Sequence, residues 1–193
     1  SVSDLNASFV NVGNEKDGFL HYHDLGPKLP SLLKFIKQIS TGKTKDYLLK
    51  NFKFEAEIEK TGKVSDILNS NQHILVQVVK EPISTKGPRI SSELSFAGRY
   101  MVLVPFSDRI SISQKIEDRE EKNRLKRLVQ SIRPKNFGVI IRTVAQDKKV
   151  AELDADLQQL LTRWKKMCAS LSKINKYPTK VLSEINRSSS ILR

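Results

Sequence analysis

The feature that most constrains the fold of this chain is the order of apolar patterns in its second half. Short apolar or alternating runs at 101–104 and 110–113 predict two β-strands. Apolar residues three and four apart over 117–133 predict a helix with one apolar face. A further strand is predicted at 137–143 and a long helix at 147–172. This order predicts a compact α+β unit in which helices cover a sheet.

The first part of the chain predicts a smaller β unit that a helical segment interrupts. The stretch ASFVNVGNEKDGFL at 7–20 places apolar residues on both sides of a Gly13-Asn14 turn signal, which predicts two short strands. HILVQVVK at 73–80 predicts another strand. Between them, helical spacing of apolar residues is broken at Gly42. We interpret 28–66 as a helical insertion in the β unit.

Charge is the composition feature that bears on function. The 193 residues contain 34 Lys and Arg against 21 Asp and Glu, a net charge of +13. Residues 1–86 contribute +2 of this and residues 87–193 contribute +11. An excess of this size attracts polyanions, so nucleic acid or an anionic membrane surface is the expected partner. General solubility is the alternative explanation. No apolar run approaches the roughly 18 residues of a membrane span, so no membrane segment is expected.

Three tempting motifs have plainer explanations. Ser40–Thr44 resembles the end of a phosphate-binding loop, but Lys37 stands where that motif needs glycine and the preceding segment is helical. His21 and His23 could share a metal, but no third ligand is near, so a surface pair is expected. The single cysteine, Cys168, is expected to be a buried structural thiol. Acidic residues lie mainly on helices, where solvated faces explain them.

Two phenylalanines and a lysine in the first unit suggest nucleic-acid binding. Phe9 and Phe19 flank the predicted turn, and Lys86 follows in a later loop. Rings beside a lysine on a β surface suit single-stranded RNA, because bases stack on the rings and lysine neutralises the backbone. The alternative is that both phenylalanines are core residues, and their spacing is equally compatible with it.

An arginine and a threonine at a strand end suggest phosphate binding. Arg142 and Thr143 stand where the predicted strand at 137–143 emerges. A guanidinium can bind phosphate through two hydrogen bonds, and a hydroxyl adds another. Gly98 precedes the strand at 101–104, and glycine lets backbone approach a ligand closely. A solvated arginine and a plain turn are the alternatives.

Several ordered stretches resemble one family. ASFVNVGNEKDGFL resembles the start of the S1-type OB domain of the bacterial RNase E/G endoribonucleases. ILVQVVKEPISTKGPRISSELSFAGRYMVLVP is similar to the join between that domain and the family's 5′-sensor domain. ISQKIEDREEKNRLKRLV, FGVIIRTVAQDK and DLQQLLTRW continue the resemblance in order, over about 150 of the 193 residues. Residues 30–70 depart from it and resemble a lineage-specific expansion.

The resemblance implies an α+β fold with three parts. Residues 1–90 would form a partial S1-like OB-fold β-barrel, with the insertion at about 28–66 and the first strand before Ser1. Residues 91–174 would form a compact α+β 5′-sensor domain. Residues 175–193 would begin an incomplete RNase H-like segment.

The resemblance also implies two sets of site residues. Those that match the RNA-holding positions of the OB domain are Phe9, Phe19 and Lys86. Those that match the pocket for a 5′-monophosphate are Gly98, Val102, Arg142 and Thr143. A pocket closed around one phosphate would reject a triphosphate through its size and unmatched charge.

For the parent protein, the resemblance implies a cytoplasmic endoribonuclease that cleaves single-stranded RNA in RNA processing, including rRNA processing, and in mRNA decay. Its partner would be single-stranded RNA with a 5′-monophosphate. Mg²⁺ held by aspartates, and Zn²⁺ at the junction between protomers of a homo-oligomer, would both lie outside this chain. The chain has no catalytic residues of its own under this interpretation, so it would bind RNA without cleaving it unaided. The alternatives are a non-catalytic RNA-binding or ribosome-associated module, and a membrane-surface protein that uses the basic segment 28–53.

Overall fold

The computed structural model describes residues 5–183. Within this range the chain forms two four-stranded sheets and four helices. The strands are β1 (Ala7–Val10), β2 (Gly18–His21), β3 (Gln77–Lys80), β4 (Arg89–Ser91), β5 (Phe96–Ala97), β6 (Met101–Pro105), β7 (Ile110–Ile112) and β8 (Phe137–Ile141). The helices are α1 (Leu29–Ser40), α2 (Val64–Ile67), α3 (Arg119–Ile132) and α4 (Val150–Leu171). This architecture confirms the predicted α+β class.

The first sheet has the strand order β1-β2-β4-β3 and is open. β1 pairs antiparallel with β2, and β2 pairs parallel with β4. β1 and β3 are its edges, so residues 5–183 contain an open sheet rather than a closed barrel. The predicted hairpin of β1 and β2 is confirmed, with Gly13 in the turn at a φ of +81° that favours glycine.

The strand predicted at 73–80 is shorter than expected, because β3 covers only its second half. Residues 73–76 have no strand partner. Their apolar side chains are nevertheless partly buried in the two hydrophobic cores of the protein. Ile74 and Val76 pack against the small core beneath the first sheet, whereas Leu75 packs against the larger core beneath the second sheet. Burial on both sides therefore explains the β-branched run without a hydrogen-bonded ladder.

The second sheet has the order β5-β6-β8-β7 and confirms the pattern from the second half of the sequence. β6 pairs antiparallel with β8, and β7 pairs parallel with β8. α3 begins after Asp118, whose side chain accepts the Glu120 N–H, and Pro134 follows its end. The strands β4 and β5 were not predicted, because three and two residues are too few for a periodic pattern.

The insertion is part of the main hydrophobic core. Phe35 of α1 is 1% exposed and stacks on Trp164 of α4, with ring centroids 5.6 Å apart and planes 13° apart. The Trp164 indole N–H donates to the Tyr47 carbonyl, and the Asn136 side chain donates to the Leu49 carbonyl at 2.9 Å. Residues 28–66 therefore join the helices of the second sheet, and Leu29 and Val64 of the same insertion are buried in the small core beneath the first sheet.

The end of the described chain returns to the same core. Val181 and Leu182, in the segment expected to begin an RNase H-like part, pack against it without forming a strand, and residues 184–193 of that segment lie outside the described residues. Cys168 is buried on α4, as predicted, and burial raises the pKa of its thiol well above the ordinary value. None of the described helices is long and apolar enough to cross a bilayer.

Candidate nucleic-acid interface

The two phenylalanines of the first sheet form one cross-strand pair. Phe9 and Phe19 are direct partners in the β1–β2 ladder, and their ring centroids are 5.9 Å apart at an interplanar angle of 64°. Side chains alternate along a strand, so Val10 and Leu20 face the core while both rings lie on the opposite face. Phe9 is 54% exposed and Phe19 is half-buried. This exposure contradicts the alternative in which both are core residues.

The loop that carries Lys86 lies beside these rings because of how β4 pairs with β2. Lys86 closes a tight turn by donating its N–H to the Ile83 carbonyl at 3.0 Å. Two residues later, the Pro88 carbonyl accepts the Phe19 N–H at 2.8 Å. Gly87 permits this approach, since a Cβ there would lie 2.0 Å from the Asp17 carbonyl oxygen. The exposed Lys86 is thus held next to the strand that presents Phe19.

The second group of predicted residues lies at one end of the second sheet. Gly98 begins the turn between β5 and β6, and its N–H donates to the Met101 carbonyl at 2.8 Å. Arg142 follows β8, and its Nη1 donates to the Gly98 carbonyl at 2.7 Å. The Arg142 N–H also donates to the Tyr100 carbonyl at 2.8 Å, which extends the β6–β8 ladder by one residue. The fold therefore brings Gly98 and Arg142 into direct contact.

Val102 belongs to the uncovered face of the same sheet. It pairs with Ala97 on one side and with Ile140 on the other. Ile140 is 44% exposed, whereas Met101 and Ile141 point into the core. Arg142 lies two residues after Ile140 and so emerges on this open face. Val102, Ile140 and Arg142 therefore form a short apolar strip that ends in a guanidinium.

Thr143 is held on the other flank of β8. Its hydroxyl oxygen lies 2.8 Å from that of Ser113, which directly follows β7. The Ser113 N–H donates to the Ile141 carbonyl at 2.9 Å, so the two hydroxyls are fixed by the end of the β7–β8 ladder. Arg142 reaches toward the β6 side and Thr143 toward the β7 side. Ser113 is a neighbour that sequence reasoning did not identify.

Asp156 organises the Gly98 turn, and sequence reasoning missed it. The expectation that helix carboxylates face solvent is wrong here, because Asp156 on α4 is only 8% exposed. Its two oxygens accept the N–H groups of Arg99 at 3.0 Å, Tyr100 at 2.8 Å and Met101 at 3.2 Å. The sequence did carry a signal, because Asp156 falls at helical spacing within the apolar stripe that contains Leu153.

Gly98 is packed directly on this carboxylate. A Cβ at Gly98 would lie 2.6 Å from Asp156 Oδ2, so only glycine fits the turn as it is built. The plain-turn explanation for Gly98 is therefore incomplete, because a buried charge depends on the close approach of its backbone. Asp156, the turn and Arg142 form one continuous chain of contacts from the helix to the sheet face.

The surroundings of Arg142 are basic. Arg99 and Lys148 lie over the Tyr100 ring, with their charged groups 5.2 Å and 5.7 Å from its centroid. Arg163 donates to the Ala97 carbonyl at 3.0 Å. Within residues 5–183, no carboxylate pairs with the Arg142 guanidinium. Its charge is therefore not neutralised by the described part of the protein.

The described residues offer no ligand set for a metal ion. No three side chains of His, Cys, Asp or Glu converge between residues 5 and 183. His21 Nδ1 accepts the His23 N–H at 3.2 Å, so this pair stabilises a turn, as the surface-pair interpretation expects. Ser40–Thr44 lies at the C-terminal end of α1, whereas phosphate-binding loops precede a helix N-terminus.

Comparison with known proteins identifies relatives that cover most of this chain. It is 34% identical to Ribonuclease E of Synechocystis sp. over 162 residues, which are 83% of this chain and 20% of that protein. It is 32% identical to Ribonuclease G of Haemophilus influenzae over 176 residues, 91% of this chain and 31% of the relative. It is 36% identical to the Ribonuclease E/G-like protein of Pyropia yezoensis over 163 residues, 84% of this chain and 27% of the relative.

These matches leave most of each relative uncovered, because the chain spans 20% to 31% of their lengths. The family assignment does not depend on that coverage. Residues 95–193, slightly more than half of the chain, match the Ribonuclease E/G family. The matched region includes the second sheet with its Gly98 turn and Arg142. The chain therefore belongs to the Ribonuclease E/G family.

Proposed function

We propose that this chain is the RNA-binding and 5′-monophosphate-sensing part of an endoribonuclease of the RNase E/G type. The observation that carries the proposal is the Arg142 guanidinium, which stands on an open sheet face without a carboxylate partner among the described residues. Its position is set by the Gly98 carbonyl, so it is oriented before any ligand arrives. Family membership favours a nuclease parent over a module without one.

The chemistry of Arg142 suits a terminal phosphate. A guanidinium has five N–H donors, and the Gly98 carbonyl takes one from Nη1, which leaves donors for phosphate oxygens. The Thr143 hydroxyl lies on the other flank of β8, so it would add a bond to the same phosphate only after its side chain leaves Ser113 and turns toward Arg142. Val102 and the backbone at Gly98 would place the terminal nucleotide. A triphosphate would bring charge and bulk that these few donors do not match.

The exposed ring pair would hold the following nucleotides. Bases stacked on Phe9 and Phe19 would each gain about 1–3 kcal/mol, and Lys86 would neutralise a phosphate of the same strand. The two parts would then read different features of one RNA molecule. The sheet end at Arg142 would recognise its 5′ terminus, and the first sheet would bind its single-stranded body.

Cleavage belongs to the parent protein in this proposal. The Mg²⁺ that activates water and offsets phosphate charge would be held by aspartates outside this chain, as would any Zn²⁺ between protomers. RNA processing and decay, a cytoplasmic location and a homo-oligomeric parent are part of the same proposal and rest on the family resemblance. The residues of this chain would bind, orient and select the substrate.

The test compares two RNA ends on one protein. Two 3′-labelled single-stranded oligonucleotides, one with a 5′-monophosphate and one with a 5′-hydroxyl, are each titrated with the protein. The ratio of the two affinities is then measured. Arg142→Ala should reduce this ratio to about 1, because the guanidinium is the main charged donor at the site. Arg127→Ala on α3 is the matched control, since Arg127 is exposed and its guanidinium donates to the Asn123 carbonyl of its own helix. An unchanged ratio in Arg142→Ala would refute the assignment.

A further inference from the structure

The insertion contains a groove that none of the predicted site residues lines. α1 ends at Ser40, and Gly42, at a φ of +69°, turns the chain back along the helix. The N–H groups of Lys43 and Thr44 both donate to the Gln38 carbonyl, at 2.8 Å and 3.3 Å. Between α1 and the returning segment lies a groove of about 500 Å³, which we call the insertion groove. Its lining includes the side chains of Gln38, Lys43, Asp46, Asn51, Phe52 and Lys53.

The segment that forms the groove is strongly basic. Residues 37–53 include five lysines, at positions 37, 43, 45, 50 and 53, and a single acidic residue, Asp46. All five lysines are exposed, and none has a side-chain hydrogen bond or ion pair within the described chain. Lys34 also lines the groove but differs from these five lysines, because Glu55 pairs with it. The Asp46 carboxylate accepts the Asn51 N–H at 2.9 Å and so stabilises the loop between these two residues.

The wall of the groove contains an aromatic ring and side-chain amides, which are the kinds of group that bind nucleobases in proteins. Phe52 is half-buried, and it is held edge-on against Phe35 and Phe106 with centroid distances of 5.7 Å for each pair. It therefore presents a fixed ring, and the Lys34 ammonium lies over one face of that ring, 5.6 Å from its centroid. The side-chain amides of Gln38 and Asn51 have no hydrogen-bond partner among residues 5–183. Amides of this kind can pair with base edges, and rings provide a stacking surface.

We propose that the insertion groove is an additional binding site for single-stranded RNA. Lys43 and Lys53 would neutralise two backbone phosphates, Phe52 would support a base, and Gln38 and Asn51 would contact base edges. The inference deepens the proposed function, because it rests on the chain being an RNA-binding protein, but it uses none of the residues of the ring pair or the sheet end. Because α1 is packed on Trp164, the groove is fixed relative to the second sheet.

The test uses the full chain and a 12-nucleotide pyrimidine RNA with a 5′-hydroxyl, so that no terminal phosphate contributes. K43Q/K53Q should weaken binding about tenfold at 0.1 M salt. In a plot of log affinity against log salt concentration, the slope should become less steep by about 1.4, or about 0.7 for each phosphate that is no longer neutralised. K60Q/K63Q is the matched control, because both lysines are exposed in the same insertion outside the groove. The control should change neither value. Circular dichroism confirms that each variant is folded.

The outcomes separate this inference from the proposed function. Equal affinity and slope for K43Q/K53Q and K60Q/K63Q would overturn the groove while leaving the other RNA-binding residues intact. A loss of binding in the Phe9→Ala variant, with no change in K43Q/K53Q, would overturn the groove in the same way. Binding to vesicles of 30% anionic lipid that K43Q/K53Q removes, without loss of RNA affinity, would show that the groove serves a membrane surface. Failure of the unaltered chain to bind either RNA end would refute the proposed function itself.

Discussion

The carboxylate of Asp156 accepts the backbone N–H of Tyr100, with 2.8 Å between Asp156 Oδ2 and Tyr100 N. This bond crosses from α4 to the turn that precedes β6. The same carboxylate accepts the N–H groups of the two flanking residues, so one side chain satisfies three consecutive donors. The turn's own carbonyl at Gly98 then accepts Arg142 Nη1. A helix carboxylate thereby sets the position of a guanidinium that it does not touch.

Asp156→Asn should weaken both stability and end recognition. The asparagine amide keeps one acceptor oxygen, but its NH2 group would face backbone N–H groups that now bond to the second carboxylate oxygen. Because those N–H groups would lose their acceptor, we expect a loss of about 1–3 kcal/mol in the free energy of unfolding. The affinity ratio for 5′-monophosphate over 5′-hydroxyl RNA should also fall, because the Gly98 carbonyl is no longer anchored. Urea titration measures the first effect and RNA titration at a temperature where the variant is folded measures the second.

Asp154→Asn is the control for that experiment. Asp154 lies on the same helix, and its carboxylate accepts only the Gln158 amide at 3.2 Å. It should leave the affinity ratio unchanged. A folded Asp156→Asn variant with an undiminished ratio would show that the carboxylate stabilises the turn without positioning Arg142.

Phe9→Ala should reduce RNA affinity with little effect on folding. The ring is exposed, so its removal should cost less than about 1 kcal/mol in the free energy of unfolding. The lost stacking should weaken single-strand binding by about 1–3 kcal/mol. Leu5→Ala is a suitable comparison, because Leu5 is 55% exposed and apolar but has no ring. Equal losses in the two variants would mean that stacking on Phe9 contributes nothing.

Phe35→Ala should destabilise the whole described fold by about 3–5 kcal/mol, because it removes a buried ring that packs on Trp164. Trp164 is the single tryptophan of the chain, so its fluorescence during urea unfolding reports directly on this contact. Lys37→Ala on the exposed face of α1 should change stability by less than about 0.5 kcal/mol. A cost for Phe35→Ala as small as that of the control would show that the insertion is not part of the shared core.

Acid should weaken the link between α3 and the loop before α4. Arg124 donates to Glu121 through Nε at 2.6 Å and Nη2 at 2.7 Å, and the Asp147 N–H donates to Glu121 at 2.9 Å. These bonds, chiefly the one from Arg124, lower the pKa of Glu121 below its ordinary 4.5. The stabilisation is therefore complete above pH 4.5 and is lost as pH falls through the lower folded-state pKa.

Glu121→Gln should remove that part of the pH dependence. We expect the variant to lose about 1 kcal/mol of stability near neutral pH, a modest figure because Arg124 is partly exposed and screened. The urea midpoint of unfolding is measured at neutral pH and at about pH 3.5. The fall in midpoint between the two pH values should be smaller in the variant than in the unaltered chain. Glu117→Gln, at an exposed position before α3, should behave like the unaltered chain. An equal fall in urea midpoint for Glu121→Gln and the unaltered chain would show that Glu121 does not cause this pH dependence.

Local periodicity accounts for the elements that could be predicted. The apolar spacing along α3 and α4 and the turn at Gly13 specify structure within a few residues, so sequence alone determined them. The same is true of the burial of Cys168, which lies in the apolar stripe of α4. The family resemblance placed Gly98 and Arg142, 44 residues apart, in one expected pocket, which no local pattern contains, and the structure added the hydrogen bond between them.

Tertiary structure decided what depends on contacts between distant segments. A stripe of apolar residues on α1 predicts a buried face, but only the packed fold shows that Phe35 on this face meets Trp164 while Leu29 joins the core beneath the first sheet. The spacing of Phe9 and Phe19 fits both a core and a surface, and the side of the sheet that the core covers placed Phe9 in solvent. Asp156 became a turn anchor because three N–H groups from another element converge on it. Side-chain type and spacing are properties of the local chain, whereas exposure and hydrogen-bond partners depend on which segments lie opposite after folding.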